Sequence, residues 1–425
     1  MKITAPLKDN PKKSKPKEDK DMRKLIYYVV VFVLLAGLAI IAWPPKSTLA
    51  QIQPEEIRVG LNASMSGPGA MWGMTYSRTM NKLIEDINKE GGLLIGGKRY
   101  RIKFIEYDHK RDPATSIENA KKLIFTDKVR AIMHHGGVAV TPTLPILSEN
   151  KIVSMDISVG PQVLKWPYNF DILPAGRNWS FMAYKAFLGQ WSGIKKVAMV
   201  NPDNDSGYTT EVDDRWAVKQ HGLETVSHQF FPEETTDFYP ILTKTIAAKP
   251  DMIVIGLGIP GNVPVIIKQA RELGWKGPIG MSQGSFGSPA TLVKIAGEAA
   301  EGFVSLHPSN TDRRFLTKQE NEWMDYWLKR WGEPFVADTF FSYKQLSLWS
   351  QAVKKADSLD PDKIAKALET GNFVVQGWKI HFVATQDTYM GRPRSLVSPF
   401  AVRTFKGGKD VVSSVILPEG VEKAE

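Results

Sequence analysis

Short apolar runs alternate with amphipathic stretches from residue 57 onward. Residues 57–63 and 99–108 have the two-residue alternation of β-strands, and residues 71–90 carry apolar side chains at helical spacing. A second helix is predicted to begin at Pro113, with Asp112 as its N-terminal cap. Further apolar runs predict strands at 129–135, 151–157, 195–202, 223–231, 251–258 and 278–284. Such strands, separated by helices, indicate parallel sheets that are covered on both faces.

There are more strand–helix units than one doubly wound sheet holds, so the predicted fold class is α/β with two doubly wound lobes. The first lobe is expected to end near Pro174, and the second to begin with a helix at 179–191. Beyond residue 306 the pattern predicts helices at 318–331, 339–356 and 361–370. Two closing strands, at 376–382 and 399–405, need a sheet to join.

Residues 25–43 form an uncharged apolar run of 19 residues, which is just long enough to span a bilayer as a helix. Aromatic residues lie near both ends, and a Lys/Arg-rich tail precedes the run, so the tail is expected in the cytoplasm. We therefore predict an uncleaved N-terminal anchor in the cytoplasmic membrane, with the remaining chain on the periplasmic or extracellular side. A signal peptide cleaved after Ala50 is the alternative.

The amino-acid composition and the distribution of charge exclude several classes of function. The chain has 425 residues, 43% of them hydrophobic, and it contains no cysteine, so thiol catalysis, thiolate metal sites and iron–sulfur clusters are excluded. The formal charge is +10, but half of it belongs to residues 1–24. The remainder is mixed along the sequence without a basic helix, so no nucleic-acid partner is predicted.

An ordered set of motifs resembles the leucine/isoleucine/valine-binding family, the type I periplasmic substrate-binding proteins of ATP-driven importers. The set opens with IRVGLNASMSGPGAMWG and continues with INKEGGLLIGGKRYRIKFIEYDHKRDPATSIENAKKLI. TTDFYPILTKTIAAKPDMIVIG, IIKQARELGWKGPIGMSQG and AGEAAEGFV follow in the family's order and spacing. The resemblance covers roughly residues 57–385.

The resemblance implies two lobes joined by a three-crossing hinge, with a small ligand closed between them. It implies a protein that delivers an amino acid, an amide or another small organic solute to the permease and ATPase subunits of an ABC importer. It implies no enzyme activity and no cofactor. A sensing ectodomain that acts with a separate signalling partner is the alternative. The expected boundaries are a cytoplasmic tail at 1–24, a transmembrane helix at 25–43, a linker at 44–56, lobe 1 at 57–178 plus 307–376, lobe 2 at 179–306 plus 377–415, and a C-terminal tail at 416–425.

In the family, first-lobe hydroxyls and amides hold the ligand's carboxylate. The matching loops contain His135, Gly136 and Gly137 after one strand, and Asp156 and Ser158 after the next. Gly137 stands where the family often has a serine, so only its backbone amide remains. An ionised Asp156 would repel a carboxylate unless it is paired or turned away.

Second-lobe groups in the family hold the ligand's ammonium group. Gln283 matches the family's acidic residue, and Ser206 and Ile259 match its tyrosines. A neutral amide at Gln283 lacks the charge that a desolvated ammonium needs, which makes amides, polyamine-like and aromatic compounds comparable alternatives to branched-chain amino acids. Tyr208 is expected to compensate for Ser206, and Trp72 and Tyr208 are expected to form stacking walls for the ligand.

Three further motif matches are not interpreted as functional sites. Residues 256–261 satisfy the dinucleotide fingerprint, but no acid follows at the required distance and Pro260 removes an amide. Residues 280–284 match a hydrolase nucleophile motif without the hydrolase order of elements. His134 and His135 are adjacent on a strand and point to opposite faces, so we expect one in the core, one at the cleft and no metal site.

Overall fold

The computed structural model describes residues 18–41, 55–66, 70–158, 161–174, 176–309, 311–332, 335–336, 338–385 and 388–424. The chain divides into two units, Met1–Gln53 and Pro54–Glu425. The first unit contains helix α1, Glu18–Ile41, of 24 residues. Within the described residues no helix combines the length and the hydropathy needed to cross a membrane. The predicted span 25–43 continues past Ile41 into residues outside the described part, as does most of the predicted linker.

The second unit is built from alternating strands and helices, as the apolar pattern predicts. Its helices are α2 Ala70–Lys89, α3 Pro113–Lys121, α4 Gly137–Val140, α5 Leu144–Glu149, α6 Gly176–Gln190, α7 Asp205–Gln220, α8 Tyr239–Ala247, α9 Val263–Glu272, α10 Pro289–Ala296, α11 Lys318–Trp331, α12 Asp338–Ala356 and α13 Pro361–Thr370. Its strands are β1 Glu55–Ala63, β2 Leu93–Ile95, β3 Lys98–Asp108, β4 Ala131–His134, β5 Val153–Asp156, β6 Asn169–Asp171, β7 Lys196–Pro202, β8 Glu224–Phe231, β9 Met252–Gly258, β10 Ile279–Gly284, β11 Val304–His307, β12 Asn372–Val375, β13 Trp378–Val383, β14 Ser395–Leu396, β15 Phe400–Lys406, β16 Lys409–Ile416 and β17 Glu422–Lys423.

The strands form two sheets, one in each lobe. The first has the order β12-β13-β14-β6-β5-β4-β1-β3-β2, with β17 paired to β13, and the second has the order β16-β15-β11-β10-β9-β7-β8. The central pairs are parallel, including β1 with β3 and β4, and β9 with β7 and β10. Every residue of β9 is buried, as expected for a strand that is covered on both faces. The two-lobed α/β class predicted from the sequence is confirmed.

Residues 378–396 correct one expected boundary. We expected 377–415 in the second lobe, but β13 and β14 belong to the first sheet. Gln376 and Gly377 both have positive φ and form a two-residue turn, which folds β13 back against β12 as an antiparallel hairpin. The strands that do join the second sheet are β15 and β16.

The chain passes between the two sheets four times in the described part, after β6, β11, β14 and β16, rather than the expected three. The fourth passage is made by residues 417–421. It ends in the first lobe, where Val421 is buried in the core and Glu422 forms an ion pair with Lys379 at 2.7 Å. The Ala424 amide donates to the Gly377 carbonyl at 2.7 Å. The C-terminal segment is therefore an ordered strap that returns to the first lobe.

Candidate functional site

A cavity of about 140 Å³ lies between the lobes. Its walls come from the ends of strands and the segments that follow them, at β1, β3, β4, β5 and β6 in the first sheet and at β7, β8, β9, β10 and β11 in the second. These are the carboxyl ends of the parallel strands, where open α/β sheets bind their ligands. The lining residues are Trp72, Arg111, His135, Gly136, Gly137, Ile157, Ser158, Leu173, Trp179, Asn204, Ser206, Glu233, Leu257, Gly258, Ile259, Gly284, Ser285, His307, Asp338 and Phe341.

The end of β4 separates its two histidines, as predicted. His134 is fully buried beside Asn62, with ring and amide nitrogens 2.9 Å apart. His135 lines the cavity and packs against the rings of Trp72 and Tyr76, with centroids 5.4 and 4.6 Å away. Burial lowers the pKa of His135 to about 3, so its ring is neutral near neutral pH.

Two buried polar atoms of the first lobe belong to the cavity wall. Within the described residues, His135 Nδ1 and Ser158 Oγ have no hydrogen-bond partner. Both residues line the cavity and are more than nine-tenths buried. Because buried polar atoms are nearly always paired in folded proteins, these two atoms mark the place for a polar ligand group.

One ion pair crosses the cleft. Arg111 Nη2 of the first lobe lies 3.4 Å from Glu233 Oε2 of the second lobe. The Arg111 guanidinium also lies 5.8 Å from the centre of the Trp72 ring. Asn204 Nδ2 donates to Glu233 Oε1, which holds the carboxylate against the first turn of α7. The two lobes are thus connected by side chains at the cavity itself.

Backbone forms much of the second-lobe wall. Gly284 has φ of 81°, and a Cβ there would lie 2.7 Å from the Gly258 nitrogen. Any larger residue would force β9 and β10 apart where they end. Glycine therefore keeps the wall formed by Leu257, Gly258 and Ile259 close to the cavity.

Aromatic rings close the cavity on the side of the hinge. Trp179 Nε1 donates to the Leu306 carbonyl at 3.0 Å, which fixes the indole. The His307 ring lies between Trp179 and Phe341, with centroids 5.9 and 5.7 Å away. Burial lowers the pKa of His307 to about 3, and loss of solvation raises the pKa of Asp338 to about 6. This wall is aromatic and neutral apart from Asp338.

The structure brings most of the predicted site residues together. Those that line the cavity are Trp72, His135, Gly136, Gly137, Ser158, Ser206 and Ile259. Asp156 does not, because it is fully buried beneath the cavity wall, 3.5 Å from His134 Nδ1, and accepts a hydrogen bond from Ser154. Tyr208 does not either, since it lies on the exposed side of α7 and donates to Asp203.

Gln283 is part of a buried network rather than of the cavity wall. Its amide donates to the Gly176 carbonyl at 3.1 Å and to Ser180 Oγ at 2.8 Å. Ser180 and Ser282 donate to the two carboxylate oxygens of Asp214, at 2.6 and 2.7 Å. Burial raises the pKa of Asp214 to about 7. The network ties α6, α7 and β10 together, so Gln283 stabilises the second lobe.

Sequence reasoning missed the three charged residues of the lining, which are Arg111, Glu233 and Asp338. Arg111 directly precedes Asp112, the N-terminal cap of α3. A basic residue directly after the carboxyl end of a strand was the available signal. Glu233 follows β8 in the same way. Asp338 opens α12, which reaches the cleft only through its packing in the first lobe.

Among the described residues, no group of three or more His, Asp or Glu side chains is arranged to hold a metal ion. The arrangement instead offers a small cleft between the lobes that is lined by polar groups, aliphatic side chains and aromatic rings. Such a space suits reversible binding of a small organic molecule.

Comparison with known proteins shows the family to which the chain belongs. The profile of the periplasmic binding protein family matches residues 56–397, and the chain belongs to that family. It is 22% identical over 348 residues to the leucine-, isoleucine-, valine-, threonine- and alanine-binding protein of Pseudomonas aeruginosa, covering 80% of this chain and 88% of the relative. It is therefore a solute-binding protein of the type I class and not an enzyme.

Two solved structures illustrate the fold. The branched-chain amino acid transporter substrate-binding protein of Streptococcus pneumoniae, in complex with isoleucine, has a TM-score of 0.70 and 20% identity, covering 86% of this chain and 100% of its own. A solute-binding protein of an ABC transporter from R. palustris, in complex with benzoate, has a TM-score of 0.68 and 18% identity, covering 86% and 98%. At these identities the likeness concerns the fold.

Proposed function

We propose that the protein captures a small organic solute between its two lobes and delivers it to the permease of an ABC importer. The observation that carries the proposal is the cavity at the strand ends of both sheets, which is lined from both lobes and bridged by Arg111 and Glu233. A ligand that contacts both walls stabilises the closed arrangement of the lobes by its own binding energy. Closure then presents a defined surface to the permease.

A thermal-unfolding screen of the full-length protein in mild detergent tests the binding step. The 12 tryptophans provide the fluorescence signal. A solute that binds only the folded state adds about 2.7 kcal/mol at 100 times its Kd, so a true ligand raises Tm measurably. Amino acids, amides, polyamines and aromatic acids form the panel. No stabilisation by any solute, at concentrations that saturate a relative, would contradict the proposal.

Transport is tested separately by uptake of the radiolabelled ligand. Cells that lack the protein should lose high-affinity uptake and regain it when the gene is restored. Unchanged uptake together with an altered transcriptional response to the ligand would favour a sensing role instead.

We also propose that residues 25–43 anchor the protein in the cytoplasmic membrane, with the second unit outside. The support is the uncharged run itself, with Tyr27, Tyr28 and Trp43 near its ends and the basic tail before it. The protein should remain in the membrane pellet after an alkaline wash. A soluble product whose sequence begins near Gln51 would instead establish cleavage.

A further inference from the structure

Arg111 is the cation of the cavity lining in the described part of the chain. Both lining histidines carry a pKa near 3, and the other charged lining residues are Glu233 and Asp338. Arg111 stands beside the strand-end loop of His135, where buried polar atoms lack partners. A ligand group at this place meets a positive charge, which favours an anion.

The contacts of the guanidinium leave most of its donors for a ligand. Arg111 reaches Glu233 through Nη2 alone, at 3.4 and 3.5 Å, which is long for a charge-assisted hydrogen bond. In the contacts of the described residues, Nε and Nη1 have no acceptor, although an arginine has five N–H donors. Nη2 carries two N–H groups, and the edge formed by Nε and Nη2 presents two parallel donors that match the two oxygens of a carboxylate.

A buried histidine holds Arg111 in place. His109 is fully buried, and its Nδ1 accepts the Arg111 backbone N–H at 3.0 Å while its Nε2 donates to the His135 carbonyl at 2.8 Å. Both bonds together require the neutral ring with the proton on Nε2, and burial lowers the pKa of His109 to about 4. His109 is thus a positioning residue that joins Arg111 to the cavity floor.

The backbone at this loop is unusual for side-chain-bearing residues. Lys110 and Arg111 have φ of 54° and 62°, in the left-handed region that such residues rarely adopt. Asp108 stabilises the loop by accepting hydrogen bonds from the amides of Lys110 and Met65, at 2.8 and 2.9 Å. Conformations of this kind are retained where the surrounding structure requires them, and they cluster at ligand-binding clamps.

In the described lining each carboxylate already has a cationic neighbour, so an ammonium group meets no unengaged anion there. Gln283 is fully buried and engaged with Gly176 and Ser180. Glu233 is engaged by Arg111 and Asn204. Burial raises the pKa of Asp338 to about 6, and the nearby positive charge of Arg403 offsets part of the attraction of its carboxylate for a cation.

The remaining walls and the size define the body of the ligand. Trp72, Trp179 and Phe341 present rings, and Ile157 and Leu173 present aliphatic surface. The volume of about 140 Å³ is close to the roughly 150 Å³ of an apolar cavity that accepts benzene. The cavity is therefore about the size of one six-membered ring, and Arg111 stands in its wall.

We infer that Arg111 binds the carboxylate of the ligand, positioned by His109, and that the ligand is a small cyclic or aromatic monocarboxylate without an α-ammonium group. The inference rests on the proposed function, since it names the solute class of the same cavity.

Calorimetric titration of the full-length protein tests the inference with benzoate, its neutral isostere benzamide, benzylamine, L-phenylalanine and L-leucine. The wild type should bind benzoate at least about 10-fold more tightly than the other four, because the coupling of a close, desolvated charge pair contributes roughly that factor or more. Arg111→Ala should abolish the preference for benzoate over benzamide, and Arg111→Lys should restore part of it. Lys110→Ala, which removes the adjacent exposed charge, should change neither affinity by more than about 3-fold.

The positioning role of His109 is tested by the same preference for benzoate over benzamide. His109→Phe should reduce the benzoate preference, and His109→Gln, which can still accept and donate, should retain more of it. Equal benzoate binding by the wild type and Arg111→Ala would overturn the inference. Binding of leucine without benzoate would overturn it while leaving the solute-binding proposal intact, whereas binding of no solute at all would remove both.

Discussion

Replacing Asp214 by asparagine should remove a large part of the pH dependence of stability. The carboxyl is fully buried, and its burial raises its pKa from 3.8 to about 7, with smaller contributions from Asp213 and Glu211. The unfolded chain therefore loses this proton near pH 4, whereas the folded chain keeps it to about pH 7. Between these values the folded state binds more protons, so the free energy of unfolding falls as the pH rises.

The magnitude follows from the difference of about three pKa units. At about 1.36 kcal/mol per unit, this carboxyl lowers the free energy of unfolding by about 4 kcal/mol between acidic and neutral pH. Asparagine does not titrate and can still bond to Ser180 and Ser282. The variant should therefore gain stability relative to the wild type as the pH rises, by up to that amount.

Urea unfolding followed by tryptophan fluorescence, at closely spaced values between about pH 4.5 and pH 8, measures the effect. The difference between variant and wild type isolates the buried group, because all other titrations are common to both. Asp205→Asn removes an exposed carboxyl from the same helix and serves as the matched control. A difference that stays constant within about 1 kcal/mol across this range would refute the reasoning, since such a difference means that the folded state does not keep the proton.

Two further perturbations test packing. Gly256→Ala places a Cβ against the buried Asn201 side chain, 2.8 Å from its Cγ, and should lower the free energy of unfolding by about 1–3 kcal/mol. The control Gly189→Ala, which has open space around it on a helix, should be neutral or stabilising. Equal Tm values for the two variants would contradict the packing argument. Val421→Asp buries a charge where the strap enters the first-lobe core and should lower the free energy of unfolding by about 2 kcal/mol or more, measured with denaturant. The control Glu419→Ala changes an exposed residue of the strap and should lower it by less than about 0.5 kcal/mol. Similar values for both variants would show that the strap is not docked in solution.

The sequence predicts what local periodicity determines. Apolar runs such as 251–258 have the length and composition of buried parallel strands, and the structure contains β9 there. The positions of His135 and Ser158 in the cleft follow, because the carboxyl ends of parallel strands meet at one edge of a sheet. Arrangements that depend on long-range packing are not available in this way. The placement of β13 in the first sheet is one example, since its apolar pattern suits either sheet.

The positions of individual side chains at the site also depend on long-range packing, so the sequence pattern does not predict them. Gln283 lies at the end of the predicted strand, but whether its side chain enters the cleft or the space beneath α6 depends on Gly176 and Ser180, more than 100 positions away. Arg111 reaches the cavity only because His109 and Asp108 hold the backbone in a left-handed turn. Neither fact leaves a periodic signal in the sequence.

The strap at 417–421 allows the movement of the two lobes to be measured with two labels placed in the last part of the chain. The turn at Gly407 and Gly408 belongs to the second sheet, and β17, fewer than 20 positions later, belongs to the first. Two spectroscopic labels, one at each place, sit on different rigid bodies although they are close in sequence. The distance between them reports the opening angle directly, without a label near the cavity. A fusion attached after β17 likewise travels with the first lobe, which fixes where an external domain can be added without loading the second.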